Sequence, residues 1–128
     1  MVENTIRLLL DKSTLFGKTL AGILKKDIRI KLINYQFDEE NIIEIVQKNN
    51  PSVILIDTDF CFEKAPLIIK LIKENFPTIK VISLYLWNKS LLQEKMLEAG
   101  ADTHLSKFDH GANIIEAIKK RELKTILF

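Results

Sequence analysis

The sequence predicts an α/β domain: a doubly wound parallel sheet of five strands in the order 2-1-3-4-5, each strand followed by a helix. Three observations carry this. Apolar runs of strand length alternate with segments that are apolar at helical spacing, along nearly the whole chain. The run Val53-Ile54-Leu55-Ile56, bounded by Asn50-Pro51-Ser52, is apolar without a break, as befits a strand covered on both faces. Residues 28 to 33 instead alternate, with Ile28, Ile30 and Leu32 against Arg29 and Lys31, which suits a half-exposed edge strand. Placing that polar strand outside makes strands one and three neighbours, about 4.8 Å apart, with the topological switch between them.

The elements follow in order. Residues 6 to 10 read as the first strand, and Leu15, Phe16, Thr19, Leu20, Ile23 and Leu24 give the helical spacing of a segment from Thr14 to Lys26. After the alternating strand, Asp38 is an N-cap for a helix with Ile42, Ile43 and Val46 inward, ended by Asn49-Asn50-Pro51. The third strand closes in Asp57, and Pro66 suits the first turn of the next helix, with Leu67, Ile68, Leu71 and Ile72 toward the sheet. Asn75-Phe76-Pro77 breaks it. Residues 79 to 86 form the fourth strand, and Ser90 caps a helix that stops at Gly100. A short strand over 103 to 106 and a helix from about Asn113 to Lys124 complete the count.

With 128 residues, 47% of them hydrophobic, the chain suits one compact domain spanning residues 1 to 128. The 19 basic and 17 acidic side chains leave a net charge of +2, too small to argue for a nucleic-acid or membrane surface. No apolar stretch approaches the roughly 18 residues of a membrane span, and the single Cys61 forms no internal disulfide, so a reduced cytoplasmic setting is the default. Cys61 itself reads as a small apolar filler.

Three strands end in charge: the first in Asp11-Lys12, the third in Asp57, the fifth in Lys107. In a parallel sheet these carboxyl ends share one rim, so Asp11, Lys12, Asp57 and Lys107 are expected to meet in one cleft, where such folds bind ligands. The stretches IRLLLDKSTLF (6 to 16), PSVILID (51 to 57) and LEAGADTHLSK (97 to 107) carry a resemblance to the receiver domain of bacterial response regulators, which covers nearly the whole chain.

The resemblance implies that Asp57 is the acceptor of a phosphoryl group from a histidine kinase or phosphotransfer protein, and that Lys107 contacts that group. It also implies a magnesium site on the first-loop acids, here Asp11 with Asp57. A downstream protein would bind through the fourth helix, fifth strand and fifth helix, and a homodimer is open. The chemistry suits the residue types, since a carboxylate can serve as the nucleophile while cations neutralise charge on the transferring oxygens.

The departures are as informative. Lys12 stands where the second acid, a direct metal ligand, is expected, and an ammonium about 4 Å from Asp57 interacts by roughly 4 kcal/mol at an effective dielectric of 20, before desolvation is subtracted. It can replace a metal's charge and not its coordination, so magnesium is doubtful. At the two switch positions, Tyr85 replaces a Thr or Ser and His104 replaces an aromatic residue. Phe108 follows Lys107 where a cis proline is usual.

Other readings are weaker. One is a degenerate receiver acting as a phosphorylation-independent interaction module; neither it nor the phosphoacceptor reading implies an enzyme. Another is a flavodoxin-like small-molecule binder using Ser13-Thr14, against which the lack of loop glycines counts. Gly17-Lys18-Thr19 resembles the end of a phosphate loop, but Lys12 fills the earlier glycine position and the triplet falls inside a helix. Lys119-Lys120-Arg121 with Lys124 reads as a solvated helix end, where cations are favoured. His104 and His110 are too few for a metal site, and Ile126-Leu127-Phe128 could pack on the sheet, support a dimer or begin a linker.

Overall fold

A computed structural model describes residues 5–11, 15–36, 38–58, 63–85, 90–107 and 111–120. Strands and helices alternate as β1 (Ile6–Leu10), α1 (Leu15–Leu24), β2 (Ile30–Asn34), α2 (Ile42–Asn49), β3 (Val53–Asp57), α3 (Ala65–Asn75), β4 (Lys80–Tyr85), α4 (Ser90–Ala99), β5 (Thr103–Ser106) and α5 (Gly111–Lys119). The strands form one parallel sheet in the order β2-β1-β3-β4-β5, as the sequence predicts.

Because successive strand residues point to opposite faces, the unbroken apolar runs feed two cores at once. Leu8, Leu10, Val53, Leu55, Ile82 and Leu84 pack against Leu20 and Leu24 of α1 and Ile114 and Ile118 of α5. On the other face Leu9, Ile54, Ile56 and Val81 meet Ile42 and Val46 of α2, Ile68 and Ile72 of α3, and Met96 of α4. Burying each such side chain fully is worth about 1.5–3 kcal/mol before the entropy of ordering is subtracted.

The expected faces shift in places. Ile28 lies outside β2 and is 80% exposed, because Asp27 holds a turn there: its Oδ1 accepts the Arg29 N–H at 2.9 Å and its carbonyl the Ile30 N–H at 3.1 Å. Leu67 is exposed, and Ile68, Ile69 and Ile72 carry the inward stripe of α3. Ile45 replaces Ile43 as the fully inward residue of α2. Asp38 is not the N-cap of α2, which is Asn41 without a side-chain cap bond; its Oδ1 instead accepts the N–H groups of Glu40 and Asn41 in the turn that leads into the helix. The α5 helix begins two residues earlier than predicted, at Gly111; Arg121, Lys124 and the terminal Ile126-Leu127-Phe128 lie outside the described residues.

Gly100 ends α4 in a conformation few L residues adopt, with φ +116°. A Cβ there would stand 2.9 Å from Lys73 Cγ. That lysine cannot easily move: its ammonium donates to the carbonyls of Pro77 and Ile79 and to Asp102 Oδ2 at 3.0 Å. Asp102 Oδ2 also accepts the Val81 N–H at 2.8 Å, tying α3 and the entries to β4 and β5 together. Gly100→Ala is therefore expected to destabilise the fold by about 1–3 kcal/mol, read as a lower urea midpoint at unchanged slope.

On the face covered by α1 and α5, Lys119 Nζ meets Asp27 Oδ2 at 2.5 Å, joining α5 to the turn after α1. The hydrogen bond from Lys119, then that from the Arg29 N–H, holds the Asp27 carboxyl below its ordinary 3.8. A depressed folded pKa gives stability that is present above 3.8 and fades as pH falls through the lower folded value. Asp27→Asn is expected to lower the urea midpoint slightly at neutral pH and to converge with the parent as pH falls below about 4, so that the acid limb of the profile flattens.

Candidate functional site

The parallel register brings the ends of β3 and β5 to one rim. Asp57 is level with Leu84 on β4, and Leu84 is level with Leu105 on β5, so Lys107 projects just beyond the acid. Main-chain bonds fix both flanks to β4. The Thr58 N–H and Oγ1 donate to the Leu84 carbonyl at 2.9 and 2.7 Å, and the Lys107 N–H donates to the Tyr85 carbonyl at 2.7 Å.

On this frame Lys107 Nζ lies 2.6 Å from Asp57 Oδ1, with only 11% and 9% of the two side chains exposed. The pair is thus largely shielded from water and salt, and each charge depends on the other. The ammonium also sits 5.0 Å from the centre of the Phe16 ring, which α1 brings over the rim. Asp11 follows Leu10 at the carboxyl end of β1, half-buried on the strand next to β3, where Leu10 pairs with Leu55. Lys12, Ser13-Thr14, Cys61, Trp87, Phe108 and His110 lie outside the described residues, so the expected four-charge cleft is described for Asp57 and Lys107, with Asp11 on the adjoining strand.

Tyr85 and His104, expected at the switch positions from the resemblance, touch each other. The Tyr85 and His104 rings stack with centroids 4.3 Å apart and planes 19° from parallel. His104 is also hydrogen-bonded through Nδ1 to the hydroxyl of Ser83, its cross-strand partner, which is wholly buried. These positions therefore hold a stacked pair anchored to the sheet. Phe16, Thr58 and the Ser83 bond to His104 had no sequence signal as site features. Phe16 looked like any inward residue of an amphipathic helix, and no spacing rule joins it to a lysine 91 positions later. Gly17-Lys18-Thr19 lies within α1, as expected, and opens no helix.

Among the described residues no three His, Cys, Asp or Glu side chains converge as a metal group, and no helix is long and apolar enough to cross a membrane. The magnesium site that the resemblance implies falls at this rim. Of the residues expected to hold it, Asp57 presents one oxygen to Lys107, and position 12, a lysine where the resemblance expects the second acid, lies outside the described residues.

No protein-family model matches the chain. It is 28% identical over 118 residues to the transcriptional regulatory protein DegU of Brevibacillus brevis, covering 91% of this chain and 50% of DegU. It is 34% identical over 91 residues to protein-glutamate methylesterase/protein-glutamine glutaminase 2 of Methanosarcina mazei, covering 70% of this chain and 25% of that protein. The chain thus spans half or less of the length of these curated relatives. Among solved structures, the signal receiver domain of the putative response regulator NarL from Mycobacterium tuberculosis superimposes with a TM-score of 0.77 at 15% identity, over 92% of this chain and 99% of that one. The strand order, the rim that carries its acid and lysine, and these likenesses agree: by fold the chain belongs with the receiver domains of two-component response regulators.

Proposed function

We propose that the chain works as a receiver in phosphorelay signalling, with Asp57 as phosphoacceptor and Lys107 as the group that meets the transferred phosphoryl. The observation that carries this is the shielded contact of Lys107 with Asp57 at the carboxyl rim. An Asp57 oxygen attacks the phosphorus of a phosphohistidine; the P–O bond forms as the P–N bond breaks, and the electron pair leaves on the imidazole nitrogen. The product is an aspartyl phosphate. The Lys107 ammonium, which balances one carboxylate charge beforehand, then faces the phosphoryl oxygens. Asp11 adds negative charge to the rim and is the one described acid that could join Asp57 around a weakly held magnesium ion.

The phosphodonor is a histidine kinase or phosphotransfer protein, in a reduced cytoplasmic setting. The downstream partner meets α4, β5 and α5, where Leu91 and Leu97 on α4 are exposed. Residues 1 to 128 act as one unit, a second copy can use the same face, and a net charge of +2 gives no support to a nucleic-acid or membrane partner of this unit. Matching a methylesterase over a quarter of its length gives no ground for esterase activity, and we assign none.

Incubation with acetyl phosphate and magnesium, followed by intact-mass measurement, is expected to show a phosphoryl adduct that vanishes in Asp57→Asn. An unlabelled protein, under conditions that label an ordinary receiver, would favour the second reading: an interaction module that works without phosphorylation. The stack of Tyr85 on His104 supports that alternative, since a phenol in a stack is poorly placed to follow a phosphoryl oxygen.

A further inference from the structure

We infer that Phe16 is a positioning residue for Lys107, its ring forming the apolar and electrostatic wall that keeps the ammonium on the Asp57 carboxylate. The ammonium is 5.0 Å from the ring centre and 2.6 Å from Asp57 Oδ1, on a side chain that is only 11% exposed. A cation so nearly removed from water needs partners on more than one side. An aromatic face supplies one through its quadrupole, and the effect grows when water is excluded. Lys107 is tethered at its backbone by the bond from its N–H to the Tyr85 carbonyl, but its four-carbon stem is flexible. The ring limits where the end of that stem can go.

Phe16 can do this because α1 is itself held in place. Leu20 and Leu24 are buried against the sheet, and Phe16 packs half-buried on the same core. One turn earlier on that helix, its ring lies toward the rim. A leucine at position 16 would preserve apolar packing and remove the π face, so aromatic character can be separated from volume.

The test uses the full chain with Phe16→Leu, Phe16→Tyr and Phe16→Trp, and two measurements. The first is the rate at which an N-hydroxysuccinimide acetate acylates Lys107, followed by peptide mass spectrometry, because the amine reacts only when it leaves the closed pair. The second is the rate of Asp57 labelling by acetyl phosphate. Phe16→Leu is expected to raise Lys107 acylation by about fivefold and to slow Asp57 labelling by a similar factor, while Tyr and Trp stay within about twofold of the parent.

Equal acylation in the Phe and Leu proteins would overturn the inference. So would changes that follow the melting temperatures of all three variants regardless of aromaticity. The labelling arm rests on the phosphoacceptor reading of the previous section, but the acylation arm does not. A parent that is never labelled, yet shows the aromatic dependence of Lys107 reactivity, sinks the phosphoacceptor reading and leaves this one standing.

Discussion

Lys107→Ala is expected to destabilise the fold by about 3 kcal/mol and to slow phosphoryl labelling of Asp57 by at least about tenfold. The stability loss follows from burial. Asp57 is 9% exposed with Lys107 against one oxygen, and removing one member of such a pair leaves an uncompensated charge, which costs about 3–5 kcal/mol in measured cases. The rate loss follows from the developing charge of the transferring phosphoryl, which the ammonium would otherwise meet.

A double-mutant cycle in urea separates these effects from general damage. Asp57→Ala and Lys107→Ala are each expected to be costly, and the double variant clearly less costly than their sum, because the second change removes the charge that the first left stranded. Strictly additive losses would show that the two side chains do not depend on each other. The inference that the lysine serves the acid would then fail, even if labelling fell.

Much of this arrangement was legible in the chain, and the reason lies in what parallel sheets do to sequence. A central strand must be apolar throughout, so the first charge after it marks the rim. That rule found Asp57 after Ile56; Lys107 follows an edge strand of mixed character, Thr103–Ser106, and was marked by the charge that ends it and by the resemblance of the stretch LEAGADTHLSK. The polar alternation of the second strand set the sheet order in the same way. Alternation was misleading at Ile28, where the local turn bonds made by Asp27 outweigh the pattern and leave a large apolar side chain in solvent. Leu67 misled for a related reason: with apolar residues at 67, 68, 69, 71 and 72 a helix has more than one plausible inward stripe, and tertiary packing chose 68, 69 and 72.

What sequence could not supply was contact between distant elements. Thr58 reads as a polar residue after a strand, yet both its N–H and its hydroxyl donate to one carbonyl on β4 and fix the turn that follows the acid. Ser83 and His104 become partners only through the register of β4 with β5. The departures at Tyr85 and His104 were each visible alone. Their joint consequence, a stack anchored on a buried hydroxyl, needed the third dimension.

Lys12→Asp is expected to raise magnesium affinity by at least about tenfold over a weakly binding parent. By the resemblance, position 12 is that of a metal-ligating acid, so the substitution changes the charge expected there by two units and supplies an oxygen donor. A cation that demands near-octahedral oxygen coordination gains from both, whereas the parent offers Asp11 and an Asp57 whose near oxygen already faces Lys107. Titration of the fluorescence of Trp87, the single tryptophan of the chain, or calorimetry, would measure the change. Without metal, the added acid should lower stability, because it places another carboxylate beside Asp11 with less cationic charge to balance them; magnesium should restore that loss in the variant and do little for the parent. A parent already saturated at low magnesium concentration, or a variant that binds no more tightly, would show that Lys12 does not stand in for the metal's charge at this rim.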